Sequence, residues 1–142
     1  MIQQFVESGS ARGVAEYDNG HQQQVAVLDY IMGNLDRRPA NYRTVYHADG
    51  TFDLLAIDHG RAFPESLDPL EVPMKSDFLA AWAGKSEELR PEIVAALDRV
   101  DTVRLHTALS DTGMSENAVQ GALERLRYLR ALRRIPNYVP HD

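Results

Sequence analysis

The chain has 142 residues, a formal charge of −6 and no cysteine. That is about one domain's worth of chain, enough to bury a core without a staple, and the missing thiols exclude a disulfide framework, a thiolate metal site and a cysteine nucleophile. The acidic balance argues against a nucleic-acid partner, no run is long enough to cross a bilayer, and the start lacks a signal-like apolar segment, so the expectation is a cytoplasmic protein without membrane insertion.

In chain order, residues 1–21 are poorly periodic and read as an extended or loop-rich lead-in. From Gln22 to Gly33, Val25, Leu28, Asp29 and Met32 recur at i, i+3, i+4 and i+7, one stripe of a helix that Gly33 closes. Asp29 sits within that stripe. It is either a boundary residue with its carboxylate in water or a buried Asp that hydrogen-bonds the loop after Gly33. "YRTVYH" and "FDLLAID" flank an Asp49-Gly50 turn signal and predict a β-hairpin, and "FPESLDPLEVP" reads as an irregular connection.

From about Ser76 onward the pattern is helical. Phe78, Leu79 and Trp82 mark one short segment, with Trp82 and Phe78 expected in the core. Ile93, Val94 and Leu97 mark the next, with Pro91 near its start, and "TVRLHTAL" marks a third. The clearest helix follows Ser115, a good N-cap, with Met114 and Val119 placed for a hydrophobic staple. Its stripe is Val119, Ala122, Leu123, Leu126 and Leu129. Arg125, Arg127, Arg130, Arg133 and Arg134 read as a basic helix surface, either an ordinary solvated face or a docking site for an acidic or phosphorylated partner. The fold class is α+β: one domain, 1–142, mostly helical with a small hairpin, in which 22–64 carry the polar loop and 65–142 the helical body.

The polar loop is the chemically informative stretch. Asp36 and Asn41 lie five residues apart with Pro39 between them, and Asp58 closes the second strand. An Asp and an Asn on one loop with a second Asp at a hairpin end make a hard-oxygen set that suits Mg²⁺. One carboxylate can position a hydroxyl while the other oxygens hold metal against phosphate charge, the requirement of phosphoryl transfer. Loop Asp and Asn also serve turns, and the two readings have about equal weight on composition. The five histidines show no metal-ligand spacing, and no serine has a nucleophile-elbow context.

Asp36-x4-Asn41 followed by Ile57-Asp58-His59-Gly60 resembles the catalytic loop and metal-binding motif of the protein-kinase fold. The fuller pattern, "GNxDRxxxN" and then "IDHGxAFP", is similar to the phosphatidylinositol 3-/4-kinase-related branch, which includes HipA-like bacterial kinases. The match is specific over residues 25–64 and loose beyond. It implies a fold like the kinase C-terminal lobe, with Mg²⁺ and ATP as cofactors. It implies Asp36 as catalytic base or hydroxyl-orienting carboxylate, Arg37 as the residue that fixes the loop by pairing with a carboxylate, and Arg38 as a neighbouring charge where the family usually has His. Asn34 would orient Asp36, Asn41 and Asp58 would ligate metal, and Gly60 would follow as the motif's glycine.

No lysine precedes Asp36; Lys75 and Lys85 are the only two, against 13 arginines. The family's phosphate-pairing lysine and glycine-rich cover therefore have no counterpart ahead of the loop. The expectation is a C-terminal lobe alone, as a truncation, a natural fragment or one half of a split enzyme, with negligible kinase activity by itself and either self-associated or joined by a partner chain that supplies the upper lobe. The alternatives are a kinase-derived module that binds without transferring and a metal-dependent phosphohydrolase built on the same Asp/Asn set.

Overall fold

A computed structural model describes residues 8–56, 62–65 and 68–140. It has an α+β fold. Strand β1 (Ser8–Gly9) leads through a 3-10 turn at Val14–Glu16 to helix α1 (Asn19–Met32). Strands β2 (Tyr42–Tyr46) and β3 (Phe52–Ala56) follow, then β4 (Pro73–Met74) and helices α2 (Asp77–Trp82), α3 (Pro91–Arg99), α4 (Thr102–Asp111) and α5 (Glu116–Leu132). Strand β5 (Val139–Pro140) closes the described chain.

Helix α1 starts at Asn19, within the stretch that reads as loop-rich. The Asp18 carboxylate caps it by accepting the Gly20 N–H at 2.9 Å. The first turn is polar, so apolar periodicity does not reveal it. Its glutamines are nonetheless interior: Gln22 and Gln23 are buried. Gln22 accepts the Trp82 indole N–H at 3.0 Å and donates to the Tyr17 carbonyl at 2.7 Å, while Gln23 accepts the Arg90 N–H at 2.8 Å. Buried amides are tolerated because they are paired.

The expected hairpin is present. Strand β2 pairs antiparallel with β3, Tyr42 opposite Ala56 and Tyr46 opposite Phe52. Gly50 at φ +88° completes the turn, and Asp49 accepts the Thr51 N–H. Strand β1 adds a third strand to the outer edge of β2. A second, two-stranded sheet joins β4 to β5 in parallel, a pairing of two proline-containing segments that carries no strand pattern.

The core lies between α1, α2 and α5 and runs under the hairpin. Phe78, Leu79, Val119, Leu126 and Leu129 are fully buried and Trp82 is nearly so, each leucine contributing roughly 1.5–3 kcal/mol of transfer free energy. Tyr42 meets Phe78 edge-on at 4.9 Å. Ser115 caps α5 by accepting the Ala118 N–H, and the predicted stripe from Val119 to Leu129 is buried throughout.

The five arginines of the C-terminal helix do not form one basic face. Arg125 is buried. Arg127 pairs with Glu124 and Arg133 with Asp98, and Arg130 donates to the Leu97 and Val100 carbonyls. Helical spacing gives each residue's angle on the helix but not what the neighbouring elements place against it.

Candidate functional site

The loop of residues 34–41 is held from four sides. Upstream, α1 ends at Gly33, which adopts φ +61°, ψ 47°. The Gly33 and Asn34 N–H groups turn back to the Tyr30 and Asp29 carbonyls at 3.1 and 2.9 Å. A left-handed residue with such bonds is a helix stop, and only glycine fits: a Cβ there would stand 2.9 Å from Pro64 Cδ. Phe63 donates its N–H to the Met32 carbonyl, so the segment after the Ile57–Gly60 motif docks on the same helix end.

Beneath the loop lies Asp29, fully buried. Its Oδ1 accepts from Asn34 Nδ2 at 3.2 Å, Arg37 Nε at 3.1 Å and Arg37 Nη2 at 3.0 Å. Its Oδ2 accepts from Ser76 Oγ at 2.7 Å. The interior reading of Asp29 is therefore the structural one. A buried carboxylate is stable only when paired and hydrogen-bonded, and this one has a guanidinium, an amide and a hydroxyl around it.

Arg37 is equally buried. Besides Asp29 it reaches the Asn41 carbonyl through Nη1 at 2.8 Å, spanning the loop from inside. Its position is that of a residue acting on the loop rather than on a substrate. On the third side the loop is bonded to the segment entering α2. Arg37 N–H donates to the Lys75 carbonyl at 2.9 Å, Lys75 N–H to the Asn34 carbonyl at 3.0 Å and Asp77 N–H to the Arg37 carbonyl at 3.1 Å. Ser76 also caps α2 by accepting the Leu79 N–H. Its bond to Asp29, 47 residues away, had no sequence signal.

The fourth support is α5. Arg125 Nε donates to the Ile31 carbonyl at 2.9 Å and Nη1 to the Pro69 carbonyl at 3.3 Å, satisfying an orphan carbonyl at the end of α1. Burial lowers its pKa to about 10. The neighbouring Tyr30 hydroxyl is buried without a hydrogen-bond partner among the described residues, and burial raises its pKa to about 12.

Within this frame the loop presents its polar groups. The Asn34 side-chain Oδ1 accepts the Asp36 N–H at 2.9 Å, and Asn41 Nδ2 donates to the Asp36 carbonyl. That bond fixes the Asn41 amide against the loop backbone. The Asp36 carboxylate is one-fifth exposed and pairs with Arg38 Nε at 3.1 Å, Arg38 itself being mostly in solvent. Strand β3 ends at Ala56 opposite Tyr42, the residue after Asn41. Asp58 follows Ala56 by two residues in sequence, and Asp58 and Gly60 lie outside the described residues. Among the described residues no group of three or more His, Asp or Glu could hold a metal.

The loop thus presents one carboxylate and one fixed amide from a backbone bonded to α1 and to the segment entering α2, and the family match assigns the chain to the kinase-type phosphotransferases. The chain is a member of the phosphatidylinositol 3- and 4-kinase family, whose model matches residues 21–110, well over half of the 142 residues. No curated protein and no solved structure matches it. Among the described residues no helix is long and apolar enough to cross a membrane.

Proposed function

We propose that this chain carries the catalytic loop of a Mg²⁺- and ATP-dependent phosphotransferase. In this reading it is the counterpart of a kinase C-terminal lobe in the HipA-like branch, acting on a protein or small-molecule hydroxyl. The observation that carries the reading is the mutual fixing of Asp36 and Asn41 by the Asn41–Asp36 bond over the buried Asp29–Arg37 pair. The donor chemistry fits the group: a carboxylate and an amide oxygen on a rigid loop are hard ligands of the kind Mg²⁺ takes alongside phosphates and water. Asp58, close in sequence to the strand end beside Asn41, would complete the set. Bound Mg²⁺ would neutralise phosphate charge as it develops.

The chain's own residues do the rest. Asp36 orients the acceptor hydroxyl and takes its proton, its backbone held so that little reorganisation is needed. Arg38, exposed and bonded to Asp36, supplies a cation at the lip of the site in place of a neutral imidazole. Arg37 and Asn34 keep the loop in register. The phosphate-covering lysine lies, in this proposal, outside residues 1–142.

The test is calorimetric titration with Mg²⁺ and ATP, followed by transfer of the γ-phosphate to protein or small-molecule acceptors, with Asp36→Asn and Asn41→Ala beside the wild type. Binding lost in Asn41→Ala, with transfer lost but binding kept in Asp36→Asn, is the expected pattern. Binding without transfer under every condition, including with added partner chains, favours the non-catalytic module. Metal-dependent phosphate release from monoesters without ATP favours the phosphohydrolase. Failure to bind Mg²⁺ and ATP at all overturns the proposal.

A further inference from the structure

A cavity of about 340 Å³ lies between the segment after α2 and the end of α5, on a different part of the fold from the 34–41 loop. Its polar lining comprises Lys85, Ser86, Tyr128, Arg134 and Asn137, and no Asp or Glu lines it. In a chain whose formal charge is −6, this is a local inversion of sign. It is also a specific one. The other arginines around the end of α5 are neutralised by a carboxylate or spent on carbonyls, whereas among the described residues neither Lys85 nor Arg134 has an ion pair. The acids nearest in sequence, Glu87 and Glu88, follow Ser86 yet stay out of the lining.

The walls are tied to one another. Leu89 donates its N–H to the Arg133 carbonyl at 2.9 Å, joining the segment after α2 to the end of α5. The pairing of β4 with β5 holds the chain just beyond Asn137. Gly84 adopts φ +74°, and a Cβ there would stand 2.7 Å from Asn137 Oδ1, so the two walls meet through a position that glycine fits. Lys85 Nζ stands 5.1 Å from the Trp82 ring centre, a cation–π contact that restrains the side chain. Such pre-ordering lowers the entropy that a ligand must overcome.

We propose that this cavity binds a phosphomonoester. A guanidinium fork and an ammonium match a doubly charged phosphate, a hydroxyl and an amide supply neutral hydrogen bonds, and Leu132 and Pro136 give an apolar floor for the attached carbons. The volume lies at the lower end of small-molecule sites, room for a phosphorylated compound of modest size. The same chemistry is offered by a soluble phosphate ester and by a phosphomonoester lipid headgroup.

The experiment is amide chemical-shift mapping on the full chain with inorganic phosphate and glycerol 3-phosphate, alongside sedimentation with phosphatidylcholine vesicles with and without phosphatidic acid. Saturable shifts centred on residues 84–86 and 134–137 are expected, separate from any at 34–41, with affinity falling about tenfold or more in Lys85→Met/Arg134→Gln. Binding to glycerol 3-phosphate alone identifies a soluble ligand. Cosedimentation that needs phosphatidic acid and is lost in the double variant identifies a headgroup. No saturable shift at those amides together with no phosphatidic-acid-dependent sedimentation, or equal affinity in the folded double variant, overturns the proposal. Should the variant fail to fold, the wild-type maps and sedimentation decide alone.

Discussion

Replacing Asp29 by Asn removes one charge and one acceptor oxygen from a site where four donors converge: Arg37 Nε and Nη2, Asn34 Nδ2 and Ser76 Oγ. The amide can still accept at one oxygen, but its NH₂ then faces donors. The fully buried Arg37 loses the carboxylate that Asp29 supplies. Breaking a buried pair from one side costs about 3–5 kcal/mol, against a total stability of roughly 5–15 kcal/mol for a domain. Asp29→Asn should therefore lose a large fraction of the stability, read by urea unfolding followed by circular dichroism at neutral pH. The double variant Asp29→Leu/Arg37→Met should recover much of the loss, because both members of the buried pair are then replaced by apolar groups. A loss below about 1 kcal/mol, the range of an exposed pair, would refute this reasoning and place the pair in contact with water.

Three further outcomes are expected. Leu126→Ala should cost about 2–5 kcal/mol in the same unfolding assay, since Leu126 is fully buried. Tyr30→Phe removes a buried hydroxyl with no partner among the described residues and should raise stability by about 1 kcal/mol. It should also flatten the alkaline limb of thermal melts: burial pushes the phenol's pKa up to about 12, so the unfolded chain ionises first, near 10, and the folded state loses stability as pH climbs from there to the folded value. Asp58→Asn should abolish Mg²⁺-nucleotide binding in calorimetry while leaving the melting temperature almost unmoved; a melted fold would make that residue structural.

Much of the architecture could be read locally. The α5 stripe, the Ser115 cap, the Asp49-Gly50 turn and the Gly33 stop are short-range signals, and each has its counterpart in the structure. Asp29 was legible only as an anomaly. A carboxylate in an apolar stripe has two physical outcomes, and the choice depends on Arg37 and on Ser76, far away in sequence. The start of α1 was hidden because its interior polar residues, Gln22 and Gln23, bond to Trp82 and to the backbone of Arg90; hydrophobic periodicity counts such residues as exposed. The β4–β5 pairing and the dispersal of the arginine face fail for the same reason. A strand of two residues has no period, and an arginine's role depends on whichever carbonyl or carboxylate the tertiary fold brings to it.

The candidate site gains its rigidity from polar contacts rather than from apolar packing, and this has a consequence for function. The backbone of residues 34–41 is bonded to α1, to the segment entering α2 and, through the end of α1, to α5, while the Asp36 carboxylate stays partly exposed beside Arg38. A carboxylate fixed at its backbone and open at its oxygens needs little rearrangement when charge develops before it, which favours a reacting group held by its supports rather than by substrate. The same design makes the loop sensitive at a distance. Ser76 and Asn34 both bond the buried Asp29, and Asn34 also accepts the Asp36 N–H, so a change at either is expected to act on Asp36 through its supports. Stability and positioning are thus carried by one buried carboxylate, and the exposed groups of the loop are left free for binding.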